Sequence, residues 1–276
     1  MSALPLKVSN LSVSIDDKKL LHEVSFDVAA GERVGFIGGS GSGKTLTALA
    51  ISGLLPESAK ITGSVKLDGK ELIGLNESEL AQIRGELVGM VFQEPKVALN
   101  PLRKLGNQMT EALDAHYTLT RKQRHEAALN LAVRVGLKEP SRITNAYPHE
   151  VSGGQRQRAA IAAAISANPG LLLADEPTTA LDVTVQQGVI ELFRELTTDG
   201  SSSLVFITHD LAVLTQIVER IYVFHEGKIV ESGSVAEITT RPISRVAKEL
   251  ILAAESETTN KLLEAASFLN EPWEKS

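Results

Sequence analysis

The chain has 276 residues, a formal net charge of −6 and no cysteine. That length fits one large domain, or a core with a built-in subdomain, and buries roughly three quarters of the unfolded surface without needing staples. The missing cysteines exclude disulfides, cysteine-ligated zinc, iron–sulfur clusters and thiol catalysis, and a mildly acidic chain without a basic tract gives no support to a nucleic-acid partner.

The most apolar helix-like segment, Ala159 to Ala167, is far shorter than the roughly 20 residues a bilayer requires. The N-terminus, Met1-Ser2-Ala3-Leu4-Pro5, has no basic segment followed by an apolar one. The expectation is a soluble chain, whose connection to a membrane, if any, runs through a partner.

Residues Leu6 to Ile37 read as short strands, with alternation at Leu11, Val13, Ile15 and again at Val24, Phe26, Val28. Gly31-Glu32 turns the chain into Arg33 to Ile37, which ends in a glycine-rich loop. A helix fits Gly43 to Ser52, and Pro56 closes the segment. Gly63 to Leu67 with Asp68-Gly69 predicts one arm of a hairpin, hence an antiparallel β region beside a parallel core. After the apolar run Leu87 to Phe92, the pattern from Asn107 to Val135 is helical and amphipathic. This places a helical insertion over Leu99 to about Pro148, or to about residue 165 with the helix that follows. The α/β alternation then resumes with a helix to Ser166, strand Leu171 to Ala174, helix Val185 to Leu196 and strand Leu204 to Ile207. Such alternation predicts a mainly parallel sheet covered on both faces. Ile221 to Ile229, turning at Glu226-Gly227, reads as a closing hairpin. Beyond Glu255 the chain turns polar, and residues 253–276 read as a tail.

Gly38-Gly39-Ser40-Gly41-Ser42-Gly43-Lys44-Thr45 matches G-x-x-x-x-G-K-[ST] between a predicted strand and a predicted helix. Polyphosphate carries several negative charges, and only a glycine-rich backbone can wrap it closely with N–H groups. The following helix adds its positive end. Lys44 is placed to reach the β- and γ-phosphates, and the Thr45 hydroxyl to ligate Mg²⁺; Thr47 is counted with the binding residues. The loop specifies a nucleotide but leaves transporters, GTPases and kinases equally open.

Leu171-Leu172-Leu173-Ala174-Asp175-Glu176 is a buried-strand pattern ending in two carboxylates. Burying a carboxylate is costly unless something compensates it, and a metal held near the phosphates does so. Asp175 is placed to hold that metal and Glu176 to activate the attacking water. Taken alone, the pair reads equally well as solvated acids at a strand end.

Val151-Ser152-Gly153-Gly154-Gln155 precedes a helix through Arg156 to Ser166, and Ser152 with Gln155 has the spacing of a capping box. Capping does not require the two glycines, which are poor helix formers; their absent side chains open a helix N-terminus to an anion. A second phosphate cradle in one chain points to a two-fold dimer with composite sites.

These residues resemble the ATP-binding subunits of ABC transporters. Val151 to Gln155 is similar to the signature of that family, Gln93 to its glutamine loop, Thr179-Ala180-Leu181-Asp182 to the segment that crosses the dimer interface, and His209 to its switch histidine. The matches run in family order across roughly Leu6 to Leu252. By themselves Gln93 reads as an ordinary loop residue and His209 as a strand-end histidine. The resemblance implies an ATP- and Mg²⁺-dependent hydrolase of the P-loop type, an α/β fold with a mainly parallel sheet, an antiparallel β region and a helical subdomain. It implies that Gln93 helps ligate Mg²⁺ and the attacking water. Ser152, Gly154 and Gln155, with Gly153 between them, would contact the γ-phosphate held by the opposite subunit, Asp182 would lie at the shared site, and His209 would hydrogen-bond that phosphate. One position departs from the pattern: Ile15 stands where the family usually stacks an aromatic residue on adenine.

Phe92-Gln93-Glu94-Pro95, Leu99-Asn100-Pro101, Tyr147-Pro148-His149 and Ala180-Leu181-Asp182-Val183-Thr184-Val185-Gln186 are similar to the peptide and nickel importer branch. Arg241-Pro242-Ile243-Ser244 replaces the His-Pro-Tyr-Thr segment usual there. The implied partners are a second ATP-binding subunit, membrane permeases and, indirectly, an extracytoplasmic solute-binding protein, with this chain peripheral on the cytoplasmic face. The alternative is an ABC ATPase of a soluble enzyme complex, resembling phosphonate-degrading assemblies.

Overall fold

The computed structural model describes residues 2–179, 181–198 and 200–256, apart from the side chains of residues 96 and 97. In chain order its strands are β1 (Leu6–Ile15), β2 (Lys18–Val28), β3 (Arg33–Ile37), β4 (Lys60–Leu67), β5 (Lys70–Glu71), β6 (Val88–Val91), β7 (Leu171–Asp175), β8 (Ser203–Ile207), β9 (Arg220–His225) and β10 (Lys228–Ser234). The helices are α1 (Lys44–Ile51), α2 (Glu77–Ile83), α3 (Pro95–Ala98), α4 (Leu105–Met109), α5 (Glu111–His116), α6 (Arg121–Arg134), α7 (Pro140–Asn145), α8 (Gly153–Ala164), α9 (Val183–Thr198), α10 (Leu211–Ile217) and α11 (Val235–Thr240).

Two sheets form. One is antiparallel with order β2-β1-β4-β5; the other has order β10-β9-β3-β8-β7-β6, parallel throughout except for β10. The central strands β7 and β8 are buried at every position, which is why they read as unbroken apolar runs rather than alternating ones. Between the sheets Phe26, Phe36, Tyr222 and Phe224 pack ring to ring, with Phe26 and Phe36 edge to face at 5.0 Å. Helices α3 to α8 all lie in the one crossover between the neighbouring strands β6 and β7. The expected α/β architecture, with an antiparallel region and a run of helices, is the one that forms.

The boundaries differ from expectation in several places. Leu6 to Val28 is one hairpin of two long strands rather than several short ones. Its turn is Asp16-Asp17, both left-handed at φ 49° and 59°, the geometry of a tight two-residue connection. The helix expected over Asn107 to Val135 is broken into α4, α5 and α6. At the first break Thr110 leaves helical geometry and turns its hydroxyl back onto the Gly106 carbonyl at 3.3 Å. At the second, Thr120 and Gln123 exchange side-chain and backbone hydrogen bonds in a capping box that starts α6 afresh. Helix α9 begins two residues before the expected Val185, because Asp182 Oδ1 accepts the Val185 N–H at 2.9 Å and so caps it from outside. The hairpins at Asp68-Gly69 and Glu226-Gly227 form where expected. Residues 245–256 are helical, so the expected boundary at residue 253 lies inside a helix, and residues 257–276 of the expected tail lie outside the described residues.

Arg158 ties the insertion to the core. Its guanidinium donates to the Val135 carbonyl at 2.6 Å and to the Gly188 carbonyl at 3.1 Å, joining the end of α6 to the middle of α9. The first bond satisfies a carbonyl that the helix end leaves open and places a cation at the negative end of its dipole.

Candidate active site

The site forms where the parallel strands end. Gly38 follows β3, Gln93 follows β6, Asp175 closes β7 and His209 follows β8, so four segments far apart in sequence converge on one carboxyl edge. This is the edge at which open α/β sheets bind their ligands.

The phosphate loop is held in shape by contacts within the chain. Gly38 has φ 155°, and a side chain there would overlap the Phe224 carbonyl oxygen of β9. Gly43 caps α1 from a left-handed conformation at φ 107°, with Leu21 and Gly227 against it. The Gly227 N–H donates to the Ser42 carbonyl at 3.0 Å, so the distant β9–β10 turn braces the loop. Lys44 is 5% exposed, and its three N–H donors are spent on the Gly38 carbonyl (2.8 Å), the Gly39 carbonyl (3.0 Å) and Ser42 Oγ (3.3 Å). Among the described residues it forms no ion pair. Burial pulls its pKa down, and the charges of Glu176 and Asp175 oppose that. An ammonium desolvated this far and held only by neutral acceptors is poised for an anion.

Thr45 Oγ1 donates to Asp175 Oδ1 at 3.1 Å. Burial raises the Asp175 pKa to about 6, with the Glu176 charge adding to the shift and Thr45 and Lys44 opposing it. The hydroxyl and carboxylate form the hard oxygen pair that Mg²⁺ uses, and the raised pKa marks a carboxylate lacking a neighbouring charge large enough to compensate it. The folded chain holds this proton up to about pH 6, whereas the unfolded carboxylate releases it near 3.8. Its ionisation therefore destabilises the fold progressively as pH rises through that window, and the cost is complete above it. In metal-free buffer at pH 7.5, Asp175→Asn should stabilise the chain by about 2 kcal/mol, a rise of about 5 °C in Tm that fades toward pH 4. A Tm equal to or below wild type at pH 7.5 would contradict this assignment.

Glu176 stands next to it in the left-handed region at φ 43°, a strained conformation for a residue with a side chain. Its N–H is fixed to the Ile207 carbonyl at 2.9 Å. Three groups converge on Oε2: Thr179 Oγ1 at 2.8 Å, Gln93 Nε2 at 3.2 Å and His209 Nδ1 at 3.3 Å. Among the described residues Oε1 carries no hydrogen bond. One carboxylate oxygen is anchored and the other is open.

A cleft of about 390 Å³ fronts these groups, lined by Leu20, Ser40 to Thr45, Leu46, Leu49, Gln93 and Glu176. Ile15 is half-buried with the inter-sheet core and does not line the cleft, whose apolar side chains are Leu20, Leu46 and Leu49. Thr47 is fully buried, its hydroxyl turned back to the Gly43 carbonyl at 2.9 Å.

Ser152 to Gln155 are not in this cleft. Ser152 Oγ accepts the Gln155 N–H at 3.2 Å while Gln155 Oε1 accepts the Ser152 N–H at 3.0 Å, so the capping box is made. Gly154 rests against Val185 of α9, and Gly153 faces open space. Of the segment Thr179 to Asp182, Ala180 lies outside the described residues. The bond from Thr179 to Glu176, the apolar wall at Leu20 and the brace at Gly227 were not read from sequence. Only Thr179 had a local signal, three residues beyond the acid.

A phosphate loop on a buried lysine, a hydroxyl–carboxylate pair and a second, half-anchored carboxylate at the edge of a parallel sheet define a P-loop nucleoside-triphosphate hydrolase. The family model described as ABC transporter matches residues 21–179. The chain belongs to that family, as one of its ATP-hydrolysing cassettes.

The oligopeptide transport ATP-binding protein OppD of Bacillus subtilis (strain 168) is 41% identical over 243 residues, 86% of this chain and 68% of that protein. The peptidoglycan transport ATP-binding protein YejF of Agrobacterium fabrum is 43% identical over 254 residues, 90% of this chain but 46% of that protein, so the chain spans under half of its length. Among solved structures, the dimeric post-hydrolysis state of the ATP-binding cassette MJ0796 bound to ADP and Pi superposes with a TM-score of 0.75 at 31% identity, covering 83% of this chain and 98% of that one.

Proposed function

We propose that the chain is the ATP-driven motor of a membrane importer for peptides or related small solutes, nickel among them, working as a dimer of cassettes bound to permease subunits on the cytoplasmic face. The observation that carries this reading is the separation of two anion-binding elements. Lys44 and Glu176 share one cleft while the intact Ser152 turn lies outside it, an arrangement that favours supply of that turn by a second cassette. The names of the relatives, all concerned with transport, favour an importer over a soluble enzyme complex.

On ATP binding, Lys44 exchanges the Gly38 and Gly39 carbonyls for phosphate oxygens, and the loop N–H groups and the start of α1 surround them. Thr45, Asp175 and Gln93 would hold Mg²⁺, which when bound supplies charge stabilisation of the phosphates. Glu176, held through Oε2, takes a proton from water on Oε1; the water oxygen attacks the γ-phosphorus as its bond to the bridging oxygen breaks, releasing ADP and phosphate. His209 hydrogen-bonds the γ-phosphate, and Ser152 to Gln155 of the second cassette close over it. Loss of the γ-phosphate removes the bridge and the dimer reopens. Closure reaches the permease through Gln93, beside an apolar groove lined by Leu54, Phe92, Ala98 and Ala112. An extracytoplasmic solute-binding protein would deliver the solute, which never touches this chain.

Among the described residues no helix is long and apolar enough to cross a membrane; in this reading the permease subunits hold the chain at the membrane. Affinity purification from detergent-solubilised native membranes tests the reading. Recovery with multi-span permeases and a second cassette is expected; recovery with soluble metabolic enzymes alone would overturn it.

A further inference from the structure

Four basic side chains surround one cavity of the helical insertion, which shares no lining residue with the nucleotide cleft. Lys104 ahead of α4, with Arg121, Arg124 and His125 on α6, lines a space of about 280 Å³ whose wall holds no carboxylate. Among the described residues Lys104 and Arg121 form no ion pair. Lys104 Nζ reaches only Asn145 Oδ1, at 3.4 Å, and Arg124 spends Nε on Asp114 Oδ1 at 2.7 Å.

The walls of the cavity are fixed by backbone contacts. A Cβ on Gly106 would lie 2.8 Å from the Thr144 carbonyl oxygen, so α4 and α7 approach as only glycine allows. Beside it the Leu105 N–H donates to the Ala146 carbonyl at 2.9 Å. The charges also stand against their own helix. The first turn of α6 holds no acid, and Arg121 and Lys122 sit at its positive end, where an anionic side chain is the stabilising choice. Cations gathered without counter-charge, at a helix end that repels them, call for an anion from outside the chain.

The flanks of the cavity indicate which anion. Leu102, two residues before Lys104, is 84% exposed, and Tyr117, three residues before the cap of α6, is 43% exposed. Exposed apolar and amphipathic side chains beside clustered cations match an anionic bilayer surface, which offers phosphate at the headgroups and hydrocarbon beneath them. A soluble anion would leave Leu102 uncovered. The chain carries a net charge of −6, so its attraction to such a surface has to be local. The site also adjoins the groove beside Gln93: α4 lines that groove with Gln108 and the cavity with Gly106.

We propose that this cavity binds the phosphate of an anionic phospholipid headgroup, with Lys104, Arg121 and Arg124 donating to its oxygens, and so orients the helical insertion against the membrane beside the permease. This rests on the reading of the chain as the motor of a membrane importer.

Co-sedimentation of the full-length chain with vesicles tests it. In about 50 mM salt, wild type should bind phosphatidylcholine vesicles containing about one-third phosphatidylglycerol at least about tenfold more strongly than pure phosphatidylcholine. Lys104→Glu combined with Arg121→Glu should cut that binding at least about tenfold. Lys7→Glu combined with Lys19→Glu, an equal charge change at exposed positions of the antiparallel sheet, should alter it less than about twofold. Both cavity residues stand at helix starts, so the Tm of their double variant should be unchanged or higher, with ATP hydrolysis in solution unchanged. Equal losses in the two double variants, equal binding to neutral vesicles, or a wild-type chain that stays in solution would overturn the proposal, even if inorganic phosphate occupies the cavity. So would a cavity variant that keeps its vesicle binding but loses the permeases on affinity purification, which assigns the cations to an acidic permease segment. Permease recovery by wild type is a separate readout: its failure removes the importer reading and leaves the lipid result standing.

Discussion

Glu176→Gln is expected to bind ATP with near-normal affinity and to hydrolyse it at least about a hundredfold more slowly. The amide keeps the size of the carboxylate, and its oxygen can still accept from Thr179, Gln93 or His209, so the anchored half of the side chain keeps its place. What disappears is the proton acceptor at the open position, where Oε1 of the carboxylate has no partner among the described residues. Binding groups in the phosphate loop are untouched, so the loss falls on kcat. With γ-phosphate retained, the variant should accumulate as an ATP-dependent dimer, measurable by size-exclusion chromatography. Normal turnover would remove Glu176 from its role, and slow turnover without dimer would count against the composite site.

Lys44→Ala should weaken ATP binding by at least about a hundredfold. Charge-assisted hydrogen bonds contribute about 1.5–3 kcal/mol each, and Lys44 is placed to make at least two to the β- and γ-phosphates. Its surroundings make the loss specific. The ammonium is already desolvated and shares the cleft with no other cation, so no neighbour replaces it. The same truncation frees the Gly38 and Gly39 carbonyls, but these lie in the loop that fronts the open cleft, where water can take the bonds. Titration with a fluorescent ATP analogue, with Tm recorded alongside, measures the effect. Undiminished affinity in a folded variant would contradict the cradle assignment.

The chemistry of the site is written in short local patterns. Gly38 to Thr45 can be read because a loop that wraps phosphate needs backbone conformations that only glycine supplies, and the strand and helix on either side are legible from periodicity. Asp175 and Glu176 stand out because two acids at the end of a run as apolar as Leu171 to Ala174 require compensation. The capping box at Ser152 is legible because its partners are three residues apart; the one at Thr120 carries an equal local signal and divides a pattern that reads as one continuous helix. Gln93 and His209 gained meaning only as members of a family pattern, because a single glutamine or histidine after a strand has many uses.

What local patterns cannot carry is which segments meet. Thr45 and Asp175 are 130 residues apart in the chain and touch only because β3 and β7 both pair with β8. The convergence of Thr179, Gln93 and His209 on one oxygen of Glu176, the bracing of the phosphate loop by Gly227, and the face that Leu20 rather than Ile15 turns to the cleft all follow from packing between elements. Residue types and their spacing reflect the demands of the nearby backbone and so settle which chemistry is available. Strand order and the seating of the helical insertion reflect the burial of surfaces distant in sequence. Those alone bring the catalytic groups onto one edge and keep the Ser152 turn out of the cleft that holds Lys44.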